Sequence, residues 1–157
     1  MRVDRFTRLT EAREWLADQI RGSGGAICPC CRKLDKVYIR NISQPTVHRL
    51  WDLYKYSQTH VGDYFAIGDF VTDQNHGRDF PILRFISLLE RAPNDDPSKG
   101  TAGEYRIMED GIEFCEGRME IPKHLVLYHN ELVSMSDQFK GIEDYWPNFN
   151  YEELMAS

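Results

Sequence analysis

The stretch that decides the fold runs from residue 45 to residue 117 and divides into five pieces: PTVHRLWDLYKYSQT (45–59), RDFPILRFISLLER (78–91), APNDDPSKGTAG (92–103), EYRIM (104–108) and EDGIEFCEG (109–117). In the first piece Val47, Leu50, Trp51 and Tyr54 recur at spacings of three and four, with Leu53 on the flank. That spacing predicts a helix with one apolar face. Ser43 or Gln44 is placed to cap it, and Pro45 suits its first turn. Arg49 and Lys55 fall off the stripe. In the second piece Pro81 tolerates only a first helical turn, so a helix is expected to start at Asp79 or Phe80. Ile82, Phe85, Ile86, Leu88 and Leu89 would bury one side, leaving Arg84, Ser87 and Arg91 on the other.

Between the helices, Tyr64–Ile67 sits between Gly62 and Gly68 and reads as a short strand. Asp69–Thr72 reads as one helical turn and 73–77 as a turn. Residues 92–103 are rich in Pro, Asp, Gly and Ser and cannot build a core. Helix, short strand, helix, polar loop and strand in that order predict an α+β fold with a winged helix-turn-helix core at 43–118. Around it, residues 1–42 predict an N-terminal helix, a cysteine knuckle and a strand. Residues 119–157 predict a β-hairpin and a short docking tail. The N-terminal helix (7–21) rests on Leu9, Ala12, Leu16 and Ile20, with Thr10 as its cap and the Gly22–Gly25 run as its stop. The strand is KVYIRNI (36–42). The hairpin is Leu125–Tyr128, a turn at 129–131 and Leu132-Val133, and YEELMA (151–156) is the tail helix.

The chain has 157 residues, enough for one substantial core. Nothing approaches the length of an apolar membrane span, and the N-terminus lacks a signal-peptide pattern, so a cytoplasmic location is expected. The net charge of -6 is uneven. Residues 1–60 carry 11 Lys/Arg against 6 Asp/Glu, and residues 61–157 carry 8 against 19. An acidic total weakens non-specific attraction to nucleic-acid phosphates but leaves room for a local basic face.

Residues 103–117 (GEYRIMEDGIEFCEG) resemble the G-x-Y-x-I-T-x-x-G-x-x-F-x-x-G signature of small bacterial and phage winged-helix proteins, with Met108 where Thr is usual. Ile121-Pro122-Lys123-His124, Tyr128-His129-Asn130 and the ending at 149–155 are similar to the same group. So is Cys28-Pro29-x-Cys31 ahead of an aromatic, basic strand. The resemblance spans roughly residues 27–155. It implies a phage- or prophage-type zinc-knuckle and winged-helix protein, from a group of undefined activity. Cys30 and Arg32 depart from its knuckle pattern.

Cys28 and Cys31 have the spacing at which two thiolates meet one zinc. A closed site needs four ligands, and Cys30, His48, His60 and Cys115 are the candidates to complete it. A reduced or redox-sensitive knuckle is the competing expectation. For double-stranded DNA the candidate contacts are Arg78, Arg84, Ser87 and Arg91 on the second helix, Gln74 before it, Lys99 at the loop tip, and Lys36 and Arg40 on the basic strand beside Tyr38. These residues serve equally as solvated charges. No phosphate-cradling Gly loop, nucleophile elbow or HExxH is present, so an enzyme is not expected. Two functions remain open. One is a DNA-binding or transcription-associated accessory protein. The other is a protein-interaction module on the same scaffold, such as a phage-encoded inhibitor of a host or defence factor. The Trp and Tyr residues of 145–151 are expected as core or dimer contacts, and a homodimer is a further expectation.

Overall fold

In the computed structural model the residues described are 7–71, 79–93 and 103–156. The fold is mixed α+β with small sheets. In chain order the elements are α1 (Leu9–Ser23), β1 (Gly25–Ile27), β2 (Leu34–Lys36), β3 (Tyr38–Asn41), α2 (Gln44–Thr59), β4 (Phe65–Ala66), α3 (Ile67–Phe70), a 3₁₀ helix (Phe80–Ile86), β5 (Leu89–Arg91), β6 (Glu104–Ile107), α4 (Glu109–Cys115), β7 (Ile121–Pro122), β8 (His124–Tyr128), β9 (Glu131–Met135), β10 (Phe139–Lys140), α5 (Ile142–Tyr145) and α6 (Tyr151–Ala156). They gather into two compact units. One combines Met1–Arg40 with Leu125–Met135, and the other combines Asn41–His124 with Ser136–Ser157.

In the smaller unit α1 buries Ala12, Leu16 and Ile20, the stripe its spacing anticipates, while Leu9 is exposed. Arg8, not Thr10, occupies the N-cap position, and no side chain caps the helix. Gly24 ends it in the left-handed conformation, its N–H donating to the Ile20 carbonyl at 2.8 Å. β1 and β2 form an antiparallel pair with Ile27 opposite Leu34. The strand expected at 36–42 is divided: Lys36 ends β2, the Val37 N–H donates to the Gly24 carbonyl in line with the β1–β2 pairing, and β3 takes Tyr38–Asn41. β8 lies between β3 and β9 in a three-stranded sheet. The β8–β9 turn is two residues, His129 and Asn130, both at positive φ (49° and 60°). Two left-handed residues in succession match the twist of a tight hairpin, and Asn accepts them readily.

In the larger unit α2 is the central element. Val47, Leu50, Trp51, Leu53 and Tyr54 are all buried. The Ser43 hydroxyl caps the helix by accepting from the Thr46 N–H at 3.4 Å. Arg49, off the stripe in the sequence, is nevertheless buried and pairs with Asp52 at 3.0 Å. The Trp51 ring is met edge-on by Trp146, Phe149 and Tyr151 at 5.4–6.0 Å between centroids. The aromatic tail therefore packs over the edge of this core, with Trp146 and Phe149 half-buried and Tyr151 exposed. The tail helix forms at the residues expected of it.

The second long helix expected over 78–91 does not form. Phe80–Ile86 is 3₁₀, Ser87 turns left-handed (φ 61°), and Leu89–Arg91 becomes a strand. The reason is the demand on Leu88 and Leu89, both almost wholly buried. Leu89, Glu90 and Arg91 pair with Ile107, Arg106 and Tyr105 of β6, which satisfies their backbone and removes them from any helix. β6 also pairs with β4, so the sheet order is β4-β6-β5, antiparallel throughout.

Several residues of the 103–117 string do structural work. Tyr105 and Phe114 are buried, and Gly117 is left-handed (φ 79°) just beyond α4. The Leu88 carbonyl accepts from the Met108 N–H at 3.0 Å and lies so near Gly111 that a Cβ there would stand 2.2 Å from its oxygen. Only glycine lets α4 approach that backbone. Met108 sits at the α4 N-cap with extended φ/ψ and contributes no cap.

Candidate binding surfaces and the cysteine knuckle

The expected DNA-reading residues are not gathered on one helical face. Arg84 is half-buried on the 3₁₀ helix with its guanidinium 4.9 Å over the Phe85 ring. Ser87 is exposed at the left-handed residue that ends the helix, and Arg91 is half-buried on β5 opposite Tyr105. Seven residues of 3₁₀ helix at about 2.0 Å each give roughly 14 Å of rod, and Phe80, Ile82 and Leu83 commit one side of it to the core. Strand geometry, not helix geometry, sets the direction of Arg91. Next to it, Glu90 pairs with Arg106, whose guanidinium lies 5.0 Å over the Tyr64 ring. Gln74, Arg78, Lys99 and the acid pair Asp95-Asp96 lie outside the described residues.

The knuckle is the loop between β1 and β2. The Cys28 N–H donates to the Lys33 carbonyl at 2.8 Å, and the Arg32 N–H donates to the Cys28 carbonyl at 2.9 Å. Arg32, one of the two departures from the knuckle pattern, takes the left-handed conformation (φ 63°). The backbone N–H groups of Cys31 and then Cys30 point at the Cys28 sulfur and lower its thiol pKa, since they stabilise the thiolate. A cavity of about 690 Å³ opens beside the loop. Leu9, Ala12 and Leu16 supply its apolar wall, while the three cysteines, Asp35, Tyr128 and His129 supply its polar side. Asp35 accepts from the Tyr128 hydroxyl at 2.7 Å and from His129 Nε2 at 2.8–2.9 Å. Burial and then this carboxylate push the Tyr128 hydroxyl up to about 12.

The Asp35–Tyr128–His129 cluster escapes a sequence reading because Tyr128 and His129 stand more than 90 positions from Asp35. The turn signal at His129-Asn130 places the histidine in a loop but says nothing of its partner.

A zinc ion asks for four ligands with correct geometry. The knuckle backbone aims N–H groups at one sulfur, that of Cys28. Cys28 is half-buried, and Cys30 and Cys31 are exposed. Among the described residues no group of three or more His, Cys, Asp or Glu stands in a ligating arrangement. The three completing candidates in the larger unit are engaged elsewhere. His48 packs on Trp146 at 4.0 Å between centroids, and His60 stacks on Tyr56 at 3.7 Å. Cys115 is fully buried, and burial pushes its thiol pKa up. The residues present therefore fit half of a zinc site.

The basic strip is formed by β2, Val37 and β3. Lys36, Tyr38 and Arg40 alternate with Val37 and Ile39 along the chain. Lys36 Nζ lies 4.7 Å and the Arg40 guanidinium 5.6 Å from the Tyr38 ring centroid. All three are exposed, with Tyr38 at 46%. No family model matches the chain, and no curated protein or solved structure matches it either.

Proposed function

We propose that this chain acts by binding rather than by catalysis, and that its larger unit is a winged-helix domain whose partner is a protein. The winged-helix reading is supported by element order: α2, β4, α3, the 3₁₀ helix, β5, a polar loop and β6, with strand order β4-β6-β5. In that scheme the 3₁₀ helix stands in the recognition position, and residues 94–102 of the β5–β6 connection lie outside the described residues. The observation that carries the choice of partner is charge. The larger unit holds ten Lys/Arg against nineteen Asp/Glu, and a surface of that sign repels phosphate. The acids include Glu109-Asp110, Glu143-Asp144 and Glu152-Glu153 in the first turns of α4, α5 and α6. They suit a basic protein surface of the kind that otherwise holds nucleic acid.

The test is a pull-down from nuclease-treated extract with the full chain and with a Glu143→Lys/Glu152→Lys/Glu153→Lys variant. Capture that survives nuclease, weakens at high salt and is lost in the variant supports the reading. Equal capture by both chains contradicts it.

A second reading has its own observation. Arg84, Ser87 and Arg91 retain partial or full exposure at the position where a winged helix meets DNA. If duplex DNA is the ligand, Arg84→Ala weakens binding in an anisotropy titration, and wild-type affinity falls steeply with salt. At the knuckle, Cys28 and Cys31 would supply two of the four ligands that a structural zinc takes. Metal analysis of wild type and Cys31→Ser checks it.

A further inference from the structure

We propose that the smaller unit carries a binding site for single-stranded nucleic acid, centred on Tyr38 and flanked by Lys36 and Arg40. This goes beyond the protein-binding reading of the larger unit and does not rest on it.

Three observations converge on this site. The first is a run of exposed side chains, cation, aromatic ring, cation: Lys36 closes β2, Tyr38 and Arg40 lie on β3, and both cations reach the Tyr38 ring, at 4.7 Å and 5.6 Å from its centroid. A backbone carrying regularly spaced phosphates meets a cation on either side of each base that reaches the ring. The second is an open groove of about 310 Å³ beside the ring, lined in part by Leu127, His129 and Asn130. Its volume lies at the lower end for small-ligand sites. Leu127 provides an apolar floor for a base, and the polar His129-Asn130 turn closes one end. The third is charge. The smaller unit holds nine Lys/Arg against six Asp/Glu, and Arg32 and Lys33 extend the basic run toward the knuckle.

The carboxylate in the groove, Asp35, does not undo this, because the Tyr128 hydroxyl and the His129 ring both bond to it. The strand geometry also selects the form of the nucleic acid. A ring lying on a sheet face is reached by an unstacked base and not by one held inside a duplex. In the free protein the two cations rest on the Tyr38 ring. An exposed contact of that kind is weaker than base stacking, so a base displaces it and releases the cation to a phosphate.

The experiment is fluorescence anisotropy of the full chain with a labelled twelve-nucleotide single strand, oligo-dT or oligo-rU, against a duplex of equal length at low salt. The expected result is saturable binding of the single strand and much weaker binding of the duplex. Tyr38→Ala binds the strand about tenfold more weakly, and Tyr38→Phe retains binding. Lys36→Ala/Arg40→Ala flattens the salt dependence by about 1.4 in log–log slope, since about 0.7 is lost per phosphate contact on a single strand. All three side chains are exposed, so circular dichroism shows each variant folded. Absence of single-strand binding at low salt, equal affinity for the duplex, or Tyr38→Ala binding as wild type overturns the proposal.

Discussion

At the scale of single residues, Gly111 and Met108 give opposite outcomes on one helix. A Cβ on Gly111 would stand 2.2 Å from the Leu88 carbonyl oxygen. Gly111→Ala must push α4 off that backbone, and a loss of about 1–3 kcal/mol is expected in denaturant unfolding. Met108 holds N-cap geometry without an acceptor. Met108→Thr places a hydroxyl within reach of the Gly111 N–H and is expected to stabilise the chain by about 0.5–1 kcal/mol, seen as a higher Tm. Both residues were visible in the sequence as positions of a signature, but their physical roles were not. A motif says that a glycine recurs, and only the packing of α4 on Leu88 says why. The cysteines divide in the same way. The knuckle N–H groups lower the Cys28 pKa, while burial raises that of Cys115. Alkylation of native protein near neutral pH followed by mass mapping is expected to modify the knuckle first and Cys115 only on unfolding. The sign for stability follows. A depressed native pKa means that Cys28 contributes stability above its unfolded pKa, and the contribution fades as pH falls through the native one.

At the scale of elements, amphipathic spacing located α1 and α2 well, because each buries one stripe: Ala12, Leu16 and Ile20 in α1, and Val47, Leu50, Trp51 and Tyr54 in α2. It failed over 80–91 for a definable reason. Ile82, Phe85, Ile86 and Leu89 satisfy helical spacing, but Leu88 and Leu89 are consecutive and both buried, and β6 offers them a strand partner. Long-range pairing overrode local periodicity. The tail shows the converse: its aromatics were legible, and their target was not. Trp51 is surrounded by Trp146, Phe149 and Tyr151, and the Tyr54 hydroxyl lies 2.6 Å from that of Tyr151 and donates to Glu116 at 2.9 Å. Phe149 is half-buried against Trp51, so Phe149→Ala is expected to cost about 1–2 kcal/mol in chemical unfolding, less than a core truncation, even though the residue sits in an irregular segment near the C-terminus.

At the scale of the whole molecule, the charge asymmetry legible in the sequence maps onto the two units. One unit is basic and includes the Tyr38 strip, and the other is acidic. On this account nucleic acid belongs to the first and a protein partner to the second. The most direct measurement is a paired anisotropy titration of single-stranded and duplex oligonucleotides against wild type, Tyr38→Ala and Arg84→Ala. The single strand is expected to bind, Tyr38→Ala to lose most of that affinity, and Arg84→Ala to change neither titration. Preferential binding of duplex that is lost in Arg84→Ala and untouched in Tyr38→Ala would contradict it.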